Sequence, residues 1–111
     1  DLSEALQDRF ELVKLDYQSE EEERSIVAAQ TRCAPSQAVI EQAVRLARAT
    51  RNDPRIRRGA SVRAAIAIAD IAMRLNGDVD RAARLALPTR IELVDERSGA
   101  LDSILESLKK N

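Results

Sequence analysis

Apolar residues return along most of this chain with the 3.6-residue period of a helix. After Ser36, the positions Val39, Ile40, Ala43, Val44 and Ala47 form one stripe, predicting a helix from about Ser36 to Thr50. Between Val62 and Asn76 the apolar surface widens. Val62, Ala65, Ile66, Ala69 and Met73 make one face, and Ile68, Ile71, Ala72 and Leu75 make another. A helix of that kind belongs at the centre of a bundle, and its alanines let neighbours approach closely. Asn76-Gly77 is a helix stop, and Asp78 can cap a short helix to about Leu87 that Pro88 ends. Its inward positions are Val79, Ala82, Ala83 and Ala86. Leu101, Ile104, Leu105 and Leu108 fall at i, i+3, i+4 and i+7, so a last helix should dock on the bundle.

The first third reads differently. Leu2, Ala5 and Leu6 suggest a helix ending near Asp8, and Phe10 to Tyr17 alternates like a strand. It is the one convincing strand that the pattern offers. A lone strand cannot satisfy its own backbone groups, so the pattern implies a piece of something larger. Ser19 and Glu22 form a capping box for a helix to about Thr31, with Ile26, Val27 and Gln30 inward. Glu20 to Glu23 read as a solvated first turn that complements the helix dipole. Arg51 to Gly59, with Arg55, Arg57 and Arg58, reads as a basic loop or hinge. The expected class is therefore all-α: four or five helices preceded by one orphan strand.

Composition narrows the function. The 111 residues carry 18 Lys+Arg and 19 Asp+Glu, for a net charge of -1, so the molecule as a whole has no pull toward nucleic acid or anionic membrane. There is one cysteine, Cys33, so no internal disulfide framework can form. There is no histidine, which removes the commonest general base and metal ligand. No run approaches the roughly 20 apolar residues of a membrane span. These features together lead to the expectation of a cytoplasmic protein with no membrane partner.

Candidate chemistry is sparse. Neither G-x-x-x-x-G-K-[ST] nor G-x-G-x-x-G is present, so the chain by itself offers no cradle for a nucleoside triphosphate. Cys33 has Arg32 beside it but no histidine partner, and it reads as an ordinary small residue. Arg63 is more pointed. It lies two residues after the cap Ser61, where a cation opposes the helix dipole by about 0.3–1 kcal/mol. An anion at that helix end would relieve the mismatch, and so would extension of the side chain into water. Arg9, in Gln7-Asp8-Arg9-Phe10, sits at a helix-to-strand junction, where an ion pair with Asp8 or Glu11 is the plain alternative.

Leu2-Ser3-Glu4-Ala5-Leu6-Gln7-Asp8-Arg9-Phe10, the strand ending Asp16-Tyr17-Gln18-Ser19 and the Glu-Glu-Glu-Arg helix resemble the end of the ATPase core in MoxR-type AAA+ ATPases, relatives of the magnesium-chelatase ATPase subunit. Gly59-Ala60-Ser61-Val62-Arg63-Ala64-Ala65 resembles the G-x-S-x-R-A segment of that family's helical lid, and Asp78-Val79 and Arg90-Ile91 resemble its close. Family members commonly carry Pro where Gln18 and Val62 stand here. The resemblance implies a core remnant over residues 1–18, a lid over 19–91 and a helical extension over 92–111. It also implies roles: Arg9 as an arginine finger acting on a neighbour's nucleotide, and Arg63 as the sensor-2 residue, with Ser61 and Gly59 in the same nucleotide-binding segment. ATP and Mg2+ would be bound by a longer parent carrying Walker A and B upstream of Asp1, and neither by this stretch alone. The implied partners are that upstream core, neighbouring subunits of a homo-oligomeric ring and a client protein. The parent would be a chaperone-like hydrolase that serves remodelling or metal-cofactor insertion.

Two other readings compete. One is a self-sufficient helical interaction module docking through the face from Leu101 to Leu108. The other is a small DNA-binding domain using Arg55 to Arg63, although that stretch lacks aromatic stacking partners.

Overall fold

The computed structural model describes residues 17–97 and 99–109. The junction bearing Arg9, and positions 10–16 of the expected strand, lie outside them. Among the described residues the chain is mostly helical, with helices α1 (Glu20–Gln30), α2 (Gln37–Thr50), α3 (Val62–Arg74), α4 (Val79–Ala86) and α5 (Ala100–Lys109). Leu87–Thr89 adds a 3-10 turn after α4. Strands β1 (Ile56–Arg58) and β2 (Glu92–Leu93) pair antiparallel, with Ile56 opposite Leu93 and Arg58 opposite Glu92.

The N-caps of α1 to α4 are made by Ser19, Ser36, Ser61 and Asp78. The Ser19 hydroxyl accepts from the Glu22 amide while the Glu22 carboxylate accepts from the Ser19 amide, which completes the capping box of α1. Ser36 accepts from the Val39 amide and Asp78 from the Arg81 amide. Asn76 and Gly77 both take positive φ, 57° and 84°, and turn the chain between α3 and α4. The α3 helix lies centrally, against α1, α2 and α4, and α5 packs on α4 and α2.

Alanines make the tight packing possible. Ala43, Ala64, Ala69, Ala72, Ala82 and Ala83 are all fully buried, and the larger Ile68, Leu87, Val44 and Leu105 fill the remaining space. Ile104 and Leu105 are 3% and 2% exposed, so α5 spends its apolar face on the bundle. The Asp70 carboxylate of α3 accepts from the Arg32 and Cys33 amides at 2.8 and 3.1 Å, pinning the α1–α2 connection to the central helix.

Three expectations change. Among the described residues, two strands occur that the pattern did not offer: β1 and β2 form from residues read as loop and connection, and the pairing is two or three residues long and created by tertiary contact. Glu23 is not solvated, since its side chain is 1% exposed and stands one helical turn before buried Val27 on the same face. Gln30 is exposed and Ile26 only half-buried. No described helix is long and apolar enough to cross a membrane.

Candidate functional site

The start of α3 gathers Gly59, Ser61 and Arg63, and the way the fold holds it is the most built feature of the molecule. Thr50 closes α2 with its hydroxyl donating to the Ala47 carbonyl at 2.6 Å, and the same oxygen accepts from the Ala60 amide at 2.8 Å. Arg51 Nε donates to the Ala60 carbonyl at 2.7 Å. Ala60 therefore has both backbone groups held by the end of α2, and it is fully buried. Gly59 lets the loop come that close. A Cβ there would stand 2.6 Å from Arg51 Cα and 2.8 Å from its backbone nitrogen, so no side chain fits without a backbone shift.

Behind this loop sits a buried ion cluster. The Glu23 carboxylate accepts from Arg51 Nη1 and Nη2 at 3.0 and 2.8 Å, and from Arg48 Nη1 at 2.8 Å. The Arg51 side chain is 7% exposed, and burial on that scale is sustained by a two-pronged pairing with the carboxylate. Arg48 Nη1 also donates to the Gln18 carbonyl at 3.0 Å, and the Tyr17 ring lies 3.9 Å from the Arg51 guanidinium carbon. One arginine thus touches Tyr17, the first turn of α1 and the loop that opens α3.

In front of the loop the chemistry is open. Ser61 is the N-cap of α3, and its hydroxyl oxygen accepts from the Arg63 amide at 3.2 Å, leaving the hydroxyl proton able to donate. Arg63 is exposed, and among the described residues its side chain has no acidic partner within ion-pair distance. A helix start also leaves first-turn amides without intrahelical acceptors. Guanidinium, hydroxyl and amides fit one edge of a phosphate-like anion. They do not amount to a cradle for a triphosphate and its metal. Gly59 sits with its back against Arg51, so its role here is the close approach of two backbones.

Some of the other arginines are paired, while Arg57, Arg74 and Arg81 are exposed and, like Arg63, have no acidic partner among the described residues. Arg55 grips Asp53 at 2.6 to 2.9 Å, and this pairing holds the Asp53 carboxyl below its usual range despite the opposing effect of burial. Arg58 pairs with Glu92 across the strands at 3.4 Å. Arg84 joins Asp80 of α4 to Asp102 and Glu106 of α5. Between α2, α4 and α5 a groove of about 560 Å³ is lined by Leu46, Val79, Leu105 and Leu108, with Arg45, Asp53, Asp80 and Lys109 around it.

The sequence thus located Gly59, Ser61 and Arg63, which are adjacent by necessity, and missed Glu23, Thr50 and Arg51, which hold them. A signal existed for two of these. Glu23 and Val27 share a helical face, and Arg48 and Arg51 do likewise at the end of the next helix. Comparisons with protein-family models, curated proteins and solved structures return no match for this chain.

Proposed function

We propose that this chain is the helical lid of a MoxR-type AAA+ ATPase together with the end of its ATPase core, and that Arg63 is its nucleotide sensor. The observation that carries the reading is an exposed arginine in the first turn of the central helix, on a helix start clamped by Thr50 and Arg51. A cation opposing its own helix dipole is sensible where an anion arrives to meet both. Phosphoryl transfer is catalysed chiefly by positioning and charge stabilisation, and a guanidinium on a rigid helix end supplies both. In the parent protein, ATP and Mg2+ would be held by the upstream core. Arg63 would grip phosphate oxygens from the lid, with the Ser61 hydroxyl as a second donor. Arg9 would act in trans on a neighbouring subunit of a homo-oligomeric ring. The lid would couple nucleotide state to work on a client protein, in remodelling or metal-cofactor insertion.

An interaction module using the face from Leu101 to Leu108 is disfavoured, because Ile104 and Leu105 are buried in the bundle. A DNA-binding stretch from Arg55 to Arg63 is weakened by the pairing of Arg55 and Arg58 with carboxylates. The test lies in the gene. The reading frame ahead of Asp1 should encode a G-x-x-x-x-G-K-[ST] segment within about 250 codons, the upper length of a typical domain. An in-frame stop directly ahead of Asp1 overturns the proposal.

A further inference from the structure

We propose that Arg51 is a conformational relay, tying the segment at Tyr17–Gln18 to the loop that opens α3. The geometry is continuous. The Tyr17 ring stacks at 3.9 Å on the Arg51 guanidinium. The Gln18 carbonyl accepts from Arg48, which shares the Glu23 carboxylate with Arg51. Arg51 Nε then ends on the Ala60 carbonyl, one residue before the cap of α3.

Three properties make this a relay rather than a list of contacts. The guanidinium is planar and rigid, so its face and its donor edges move together. Its Nε and both terminal nitrogens are engaged, so it cannot follow Tyr17 without pulling on Glu23 or Ala60. The receiving loop has no slack, because Gly59 lies too close to the Arg51 backbone to admit even a Cβ and the Ala60 amide is tied to Thr50. Tyr17, by contrast, is 39% exposed and lies at the rim, where a neighbouring element can displace it. Side chains occupy discrete rotamers, so the stacked and unstacked arrangements of Tyr17 are two states, and loss of the stack weakens the hold of Arg51 on the Ala60 carbonyl and so loosens the Ser61–Arg63 helix start without giving it a second position. The relay is a property of these residues and does not depend on the ATPase reading.

The experiment is amide hydrogen exchange on the full 111-residue chain. Tyr17→Ala should speed exchange at Ala60, Arg63 and Ala64 by about two- to fivefold, the worth of a stacked cation at a partly exposed ring. The amides of α4 and α5 should stay as they are. In an Arg51→Lys background, which keeps a charge for Glu23 but lacks the Nε donor, Tyr17→Ala should leave the 60–64 amides unchanged. Equal exchange in Tyr17→Ala and the unsubstituted chain overturns the relay, and so does an acceleration spread evenly over all helices. A Tyr17→Ala effect that persists undiminished in the Arg51→Lys background also overturns it. If Arg51→Lys fails to fold, the regional pattern in the single Tyr17→Ala variant still decides.

Discussion

Replacing Glu23 by alanine should be the most damaging single change in the first turn of α1, although four consecutive glutamates there look interchangeable. The variant removes an acceptor of three charge-assisted hydrogen bonds. Arg48, 34% exposed, can turn to water, whereas Arg51, 7% exposed, is left with a buried and uncompensated charge. Breaking such a pair from one side costs about 3–5 kcal/mol. Arg51 keeps its bond to Ala60 and its stack on Tyr17, which places the expectation at the lower end, about 3 kcal/mol. Small domains have only about 5–15 kcal/mol in total. The loss should lower the melting temperature by roughly 12–24 °C, at about 4–8 °C per kcal/mol. Urea unfolding followed by far-ultraviolet circular dichroism measures it as a shift in midpoint at unchanged slope. Glu21→Ala, on the exposed side of the same turn, should stay within about 0.5 kcal/mol of the unsubstituted chain. A Glu23→Ala loss below about 1 kcal/mol would mean that the carboxylate is solvated after all, and would refute the buried cluster.

Gly59→Ala should destabilise by about 1–3 kcal/mol, because the new methyl meets backbone rather than a yielding side chain; thermal unfolding checks it. Asp53 contributes stability with a defined pH window. Its folded pKa is held below the unfolded value of about 3.9, so the contribution is complete above that value and disappears as pH falls through the folded one. Asp53→Asn should therefore be less stable than the unsubstituted chain at neutral and mildly acidic pH, with the gap closing as the pH falls below about 3.9, as measured by urea midpoints.

The helices were most legible where several signals agreed, a capping residue, a 3.6-residue stripe and a stop, whereas α5 was legible from its stripe alone. Ser36, Ser61 and Asp78 mark their caps, and Asn76-Gly77 takes the positive φ that ends α3. The small sheet was not legible, since neither Ile56–Arg58 nor Glu92–Leu93 alternates long enough to show a period, and the two strands lie far apart in the chain. Glu23 hid among charges that local rules explain fully; its shared face with Val27 sets it apart from Glu21 and Glu22, but its partners Arg48 and Arg51 arrive only in three dimensions. Arg63 stood out because it broke a local rule, and it remains exposed with no acidic partner among the described residues. Gly59 was noticed for a motif, whereas its packing reason, contact with the Arg51 backbone, needs the fold.

The proposed function rests on Arg63 meeting a phosphate supplied by a longer parent chain. Steady-state ATP turnover, measured side by side for the full-length gene product and its Arg63→Ala variant, tests this most directly. The expected result is turnover by the parent and a loss on the order of 10²-fold in the variant, the scale of removing one donor from a developing charge. A parent that hydrolyses no ATP, or an Arg63→Ala variant that turns over at the parental rate, contradicts it.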